Sequence, residues 1–563
     1  MRVTNQMLTS SFLNDMNTNL QNLQTIQEQM ASGKNFQKPS DDPFDVTTSM
    51  RLNASINANT QYNKNITSTS NWLDTTDTAL SQMNSVFQNI NGQLISAGNA
   101  AYGTSERQSI KDEINQNISQ VAQILNTNFD GEYIFGGTRV ASKPVDSTTV
   151  FTLPATVNQS NSSGGSAALT GSFTGDETSA NYTVKIDSVN SGQVTGVSYS
   201  TDGTNWTSVT TANSDGTFSI GNGLNIKLNT NTANAVNDTY TFSMNQDTKL
   251  IYRDNNGNEM AINPVESSNV TVANWSGQTI GFNITPSSST TSAYASIKLS
   301  NYSSTSTIDD VVSDINNQIN NTQSNPATTP PTYPLKGEVL AEKTSDGKIS
   351  FKSLSDNNTI EIAPVGTSTN STTVSDLSSS TGQKIPSIDY DMIQSSRKTE
   401  ISEGVLVQYN TSATDVINYG TNAGDNVNAL FQRIVNNLNG YVAETDSNGN
   451  VMKDSSGNII YTANSAEATS LLTGQDLTDL DSAMSKLSSV QSQVGAKENS
   501  MTSAQTQNQQ NNTDLTTILS NTEDIDITKK TMEYATAQTV YTAALQTGAK
   551  VIQPTLMDYL SNG

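Results

Sequence analysis

A chain of 563 residues without one cysteine or histidine has no disulfide, no thiolate or imidazole metal site, and no nucleophile activated by an imidazole base. Its net charge of −24 argues against nucleic acid and anionic membrane surfaces as partners. With only 33% hydrophobic residues it buries thin seams and sheet faces more readily than one thick core. No apolar run reaches the ~18 residues of a membrane span, and the polar start Met1–Gln6 lacks the apolar stretch of a cleavable signal.

In chain order, the first helix is expected from about Thr4 to Ser32, with Gly33 ending it in a left-handed conformation. Leu13, Met16, Leu20, Leu23, Gln27 and Met30 follow at 3-4 spacing, the narrow stripe of a helix that needs a partner helix. After a connector, Asp42-Pro43-Phe44-Asp45 opens a long second helix: a carboxylate at the N-cap, Pro at the first helical position, an acid in the first turn. Leu52, Asn59, Ile66, Leu73, Leu80, Phe87 and Leu94 recur every seven residues along it, a span of about 80 Å if unbroken to Ala97. Ser105-Glu106-Arg107-Gln108 reads as the capping box of a third helix, which ends near Asn128-Phe129-Asp130-Gly131 and a short strand, Tyr133-Ile134-Phe135.

From about Ser142 to Ser396 the composition turns to Ser, Thr, Asn and Gly with period-two alternation, as in Tyr182–Ile186, Leu224–Leu228 and Tyr240–Met244. Asp202-Gly203, Asp215-Gly216 and Asn256-Gly257 are hairpin turns. A second β unit, from about Ala293, holds one helix (Ile308 to Ile319), a Pro-rich loop (Pro326 to Pro334), and strands at Val339–Ala341 and Lys348–Phe351 joined through Asp346-Gly347. Helical pattern returns at Val427 to Leu438, then a hairpin-rich insert runs from about Gly440 to Ala463. Asp446–Asn450 and Asp254–Glu259 resemble calcium loops only faintly, since each places its glycine fourth; turns explain them. Trp206 and Trp275 are read as strand-packing aromatics, with carbohydrate binding as the other reading.

The last ninety or so residues carry the longest stripe: Leu477, Leu480, Met484, Leu487, Gln491, Val494, Glu498 and Met501. It resumes beyond Asn521 through Met532, Tyr541, Leu545, Ile552 and Leu556. A chain whose two ends pair while the middle loops out is the first structural inference.

Several short motifs carry a resemblance. Met1-Arg2-Val3-Thr4-Asn5, Ala31-Ser32-Gly33-Lys34, Pro39-Ser40-Asp41-Asp42-Pro43 and Asn71-Trp72-Leu73-Asp74-Thr75-Thr76-Asp77 stand in order at the front. Tyr133-Ile134-Phe135-Gly136-Gly137-Thr138 marks the end of the third helix, and Tyr541 to Leu560 closes the chain. Together these resemble the bacterial flagellar hook-associated protein 3 family, relatives of flagellin that join hook to filament. Flagellin proper usually follows the Asp-Asp pair with Ala-Ala-Gly, whereas Pro43 follows here.

The resemblance implies an α+β, elongated flagellin-like molecule, with long antiparallel or coiled-coil helices from both termini and mostly antiparallel β domains inserted between them. The expected division is 1–41 and 521–563 as terminal coiled-coil helices, 42–141 and 397–520 as a helical core, and 142–292 and 293–396 as inserted β domains. The implied role is structural: an adapter layer of self-assembling subunits, exported uncleaved by the flagellar type III apparatus to the extracellular flagellum. Flagellin itself and a secreted coiled-coil and β adhesin-like fibre are the alternatives. Implied partners are copies of itself, a neighbouring hook-associated protein, flagellin, and a cytosolic export chaperone at the C-terminal helices. No reaction, cofactor, nucleic acid or membrane insertion is implied. The expected assembly residues are Leu13, Met16, Leu20, Leu23, Met30, Leu545, Ile552, Leu556 and Leu560.

Overall fold

The structure is a computed structural model describing residues 5–551, apart from 100–102, 161–164, 229–233, 256, 258, 263–264, 269, 287–291, 323–333, 345, 356–357, 364–373, 375, 378–381, 421–424, 447–450 and 454–458. The expected Pro-rich loop and most of the Asp446–Asn450 turn lie outside those residues.

Three helices come first: α1 (Asn5–Ser32), α2 (Pro43–Ala97) and α3 (Thr104–Leu125). The hairpin β1 (Asn128–Phe129) and β2 (Glu132–Tyr133) follows. The first β region contains β3 (Val145–Thr152), β4 (Asn158–Ser160), β5 (Ala167–Gly171), β6 (Asn181–Asn190), β7 (Gln193–Ser200), β8 (Thr207–Val209), β9 (Thr217–Ser219), β10 (Leu224–Leu228), β11 (Thr239–Ser243) and β12 (Asn245–Tyr252). The second contains β13 (Val265–Glu266), α4 (Val272–Trp275), β14 (Thr279–Pro286), β15 (Ala293–Lys298), α5 (Ile308–Asn321), β16 (Val339–Lys343), β17 (Ile349–Ser353) and β18 (Asn358–Ala363). The chain then forms α6 (Ile388–Gln394), the hairpin β19 (Lys398–Ser402) and β20 (Val405–Gln408), α7 (Ala413–Ile417) and α8 (Val427–Leu438). It closes with β21 (Tyr441–Ala443), β22 (Tyr461–Ala463), α9 (Ser465–Thr473), α10 (Gln475–Glu523) and α11 (Ile527–Val551).

These elements fall into two compact units: residues 1–71, 399–407 and 499–563, and residues 72–398 with 408–498. In the first, α1 lies along α11, and α2 runs antiparallel to α10. The antiparallel register shows in Ser49 Oγ donating to Glu523 Oε2 (3.1 Å) and Asn59 Nδ2 to the Asn508 carbonyl (2.5 Å).

The larger unit has its own α2–α10 seam. Ile66 aside, which belongs to the first unit, the α2 heptad Leu73, Leu80, Phe87 and Leu94 is fully buried. On α10, Leu480, Leu487 and Val494 are buried as the spacing predicts, but the complementary line is Ala483 and Val490 rather than Met484 and Gln491, which are only half-covered. The helix presents a face wider than a two-helix seam, the pattern of a helix packed in a globular core.

Two β cores complete this unit. Sheets ordered β21-β22-β5-β10-β9 and β4-β11-β6-β7-β8 enclose Leu169, Leu224 and Ile226 from one side and Val184, Ile186, Tyr240 and Phe242 from the other. The Gly440–Ala463 insert, expected to interrupt the helical core only, thus also extends a sheet: β22 pairs with Thr170 and Gly171 of β5. Sheets β13-β17-β16 and β15-β14-β18, with α5, enclose Trp275, Phe282, Ile315 and Phe351. The expected divide between 292 and 293 needs correction, because it separates β14 from β15, which pair from Thr279↔Lys298 to Ile284↔Ala293 and share this core.

Two local expectations also shift. The third helix is capped at Gly103, whose N–H donates to Glu106 Oε2 (3.0 Å), so Ser105 lies inside the helix. Tyr133-Ile134-Phe135 is not a strand throughout: Ile134 and Phe135 are buried in a turn after β2.

Candidate assembly surface

The terminal helices α1 and α11 pack antiparallel, with backbones within 8 Å of one another. The half-covered side chains of α1 include Phe12, Met16, Asn19, Leu23, Ile26 and Met30, a 4-3-4-3-4 series. Those of α11 include Tyr534, Ala537, Tyr541 and Ala544, in line with the buried Gly548. Small residues permit the close approach: a Cβ on Gly548 would lie 2.5 Å from Cε1 and Cζ of Phe12.

Of the expected assembly residues, Met16, Leu23 and Met30 therefore lie in the seam inside the molecule. Leu13 and Leu20 do not: they are 51% and 48% exposed, and Leu545 is 45% exposed. Each of the two leucines stands one position past a seam residue, so the chain carries two adjacent stripes of the same spacing. One partner helix covers only one of them. Ile552, Leu556 and Leu560 lie outside the described residues.

A clasp ties this helix pair to α2 and α10 within the first unit. Gly33, at φ +73°, ends α1 with its N–H on the Gln29 carbonyl (2.8 Å). Its own carbonyl accepts from Ile525 N (3.0 Å), Asn35 N donates to the Glu523 carbonyl (2.7 Å), and Asn35 Nδ2 donates to the Asp524 carbonyl (2.9 Å). Lys34 Nζ pairs with Glu523 Oε1. Asp41 folds the connector by accepting from Gln37 N (3.0 Å) and Lys38 N (2.9 Å), bonds that hold its carboxyl below the usual range. Asp42 caps α2 as expected, accepting from Phe44 N (3.1 Å) and Asp45 N (3.0 Å).

Elsewhere in this unit α2 and α10 bury Ile66 and Met501 alongside polar side chains. Asn508 Nδ2 donates to the Ile401 carbonyl (2.8 Å) and Asn65 Nδ2 to the Glu400 carbonyl (3.0 Å), seating the β19–β20 hairpin by its backbone.

In the larger unit, the β insert leaves and re-enters at a narrow neck. Thr138 N donates to the Met392 carbonyl (2.9 Å) and to Ser395 Oγ (3.0 Å), so the two ends of the insert meet. Gly137, at φ +63°, is required there, since a Cβ would lie 2.2 Å from the Met392 oxygen and 2.3 Å from that of Ile393. Arg139 and Asp389, each 3% exposed, pair at 3.1 Å beside it, and Arg139 also donates to the carbonyls of Lys143 (2.8 Å) and Arg253 (2.6 Å). The Trp72 motif packs nearby: its ring meets Tyr409 edge-on at 5.7 Å, and the Arg397 guanidinium lies 5.2 Å from it. Burial, and then Asp74 and Asp77, push the Glu498 carboxyl above its usual value.

Among the described residues no group of three or more acids is placed to hold a metal ion, and no helix is long and apolar enough to cross a membrane. Trp275 is buried, its indole donating to Asp376 Oδ2 (2.9 Å), while Trp206 is 44% exposed.

Residues 3–139 match the family model of the bacterial flagellin N-terminal helical region, and residues 477–560 that of the C-terminal helical region. The first match ends at the neck, beside Thr138. At both its ends, then, the chain is similar to the flagellin family. Among relatives, it is 26% identical over 150 residues to flagellar hook-associated protein 3 of Salmonella typhimurium, covering 26% of this chain and 47% of that one. It is 25% identical over 141 residues to a flagellin of Clostridium tyrobutyricum, covering 25% and 37%. The chain thus spans less than half the length of these relatives. A solved flagellar hook associated protein-3 from Legionella pneumophila aligns over 84% of this chain and 98% of its own at 13% identity and a TM-score of 0.29.

Proposed function

We propose that this chain is a structural subunit of the bacterial flagellum, one layer of self-assembling copies joining hook to filament. The observation that carries the reading is the α1–α11 pair, which covers one apolar stripe and leaves Leu13, Leu20 and Leu545 facing water. A half-buried helix pair with a second apolar stripe is built to bundle with more helices, and heterologous contacts between copies propagate as a helical array. Pro43 at the start of α2, and the hook-associated relative, favour the junction over the filament. Its partners are copies of itself, a hook-associated neighbour below and flagellin above.

Export proceeds through the flagellar apparatus without cleavage of the N-terminus. Before export, the C-terminal amphipathic helix docks a cytosolic chaperone in helix-in-groove fashion. Immunogold labelling of isolated flagella tests the reading: label confined to one band at the hook–filament boundary supports it. Label along the whole filament would make the chain a flagellin, and absence from flagella would remove the reading altogether.

A further inference from the structure

The exposed indole of Trp206 stands at the end of a neutral polar row that crosses a whole sheet. In β6, Tyr182, Val184 and Ile186 point into the core, so Thr183 and Lys185 point the other way. Thr183 pairs with Ser200 of β7 on one side and Thr241 of β11 on the other, and Thr241 pairs with Asn158 of β4. Trp206 directly precedes β8, whose Thr207 pairs with Tyr199. The row Asn158, Thr241, Thr183, Ser200, Trp206 therefore spans four inter-strand steps, about 19 Å, with Ser200 covered and its hydroxyl donating to Asp202 Oδ1 (3.0 Å).

At one end of this face the sheet meets α3 across a cleft of about 630 Å³, with Thr104, Ser105 and Gln108 on the helix side. None of the side chains lining the cleft is charged, in a chain of net charge −24. At the other end the indole is held in place. Lys185 Nζ lies 5.4 Å from its ring, and the loop before it is tied by Asp202, which accepts from Thr204 N (2.8 Å), Asn205 N (2.7 Å) and Asn205 Nδ2 (2.6 Å). Unlike the buried Trp275, this large aromatic stays 44% exposed on a fixed loop.

We propose that this face binds a neutral glycan chain. The indole offers an apolar platform for the C–H face of a sugar ring, and Thr183, Thr241 and Asn158 exchange hydrogen bonds with the sugar hydroxyls. A charged polymer finds no matching charges in the cleft lining, and Lys185 beside the indole is already paired with Asp187 (3.6 Å). A protein partner would need apolar area, which the row lacks outside Trp206. This surface lies in the β insert, so the site is independent of the assembly reading.

Intrinsic fluorescence reads the site directly, because Trp72 and Trp275 are buried and Trp206 is not. The full chain is titrated with cellohexaose, chitohexaose and mannohexaose, at low salt and in 0.5 M NaCl (roughly a Debye length under 5 Å). At least one of the three should shift the emission saturably and independently of salt. Trp206→Ala should weaken that binding about tenfold or more, measured by calorimetry, with an unchanged melting temperature. Thr241→Glu, which puts a charge mid-row, should weaken it while leaving the indole in place. No response to any of the three at millimolar concentration would overturn the proposal. So would equal binding by the Trp206→Ala variant, or an emission shift that follows protein concentration alone and so marks contact between copies.

Discussion

The ring of Phe12 occupies the space that a side chain on Gly548 would fill, 536 residues away in sequence. A glycine inside a helix ordinarily costs about 0.5–1 kcal/mol relative to alanine, so its place here is explained by that ring. Gly548→Ala should therefore destabilise the α1–α11 pair rather than stabilise it, by about 1–3 kcal/mol as overpacking does. Limited proteolysis of the terminal helices checks this: cleavage should speed up in Gly548→Ala and recover in the double variant with Phe12→Ala. Faster cleavage in neither would mean that the two residues do not share a seam.

Gly137 makes a second, sharper case, since the atoms against it are backbone oxygens of α6. Gly137→Ala should cost about 3 kcal/mol or more, from a left-handed residue combined with a clash that no side chain can relieve. Differential scanning calorimetry should show the larger unit melting earlier, whereas Gly131→Ala, also at positive φ but with open space around it, should cost only about 1–2 kcal/mol.

Glu498 gives a pH dependence. Its carboxyl is raised in the folded state, so the folded chain binds more protons than the unfolded one between the ordinary glutamate value and the raised one. Stability contributed here is present at low pH and falls as pH rises through that window, from about pH 4.3 upward. Glu498→Gln should remove that fall and raise the melting temperature at pH 7, most visibly in low salt because Asp74 and Asp77 add to the repulsion. A variant that melts lower at pH 7 than the parent would contradict the sign.

Much of this was legible in the sequence where one face of one helix decides the outcome. The Leu73–Leu94 heptad, the Asp42-Pro43 start of α2 and the stop at Gly33 follow from periodicity and capping chemistry alone. The stripe on α1 was harder. Phe12, Asn19 and Ile26 share the spacing of Leu13, Leu20 and Gln27, and an asparagine in the seam hides it from a count of apolar residues. The clasp was not legible, because the bonds joining Gly33 to Ile525 and Asn35 to Glu523 run between backbone groups, which leave no side-chain signature. Nor was the pairing of β14 with β15, whose partners are fixed by a tertiary core and not by a turn motif.

The central claim is that the stripe left uncovered on the terminal pair is the face by which copies assemble. Exposed leucines tolerate polar replacement with little cost to the isolated fold, within about 0.5 kcal/mol each. On assembly each would lose about half of what full burial of a leucine contributes, about 0.8–1.5 kcal/mol, since the other half is already covered. The triple variant Leu13→Asp, Leu20→Asp, Leu545→Asp, as sole copy in the cell, is thus the direct test, read by flagellin in the culture medium and filaments per cell. With monomer circular dichroism and melting unchanged, the account predicts bare hooks and shed flagellin. Normal filaments on cells carrying the triple variant would contradict it.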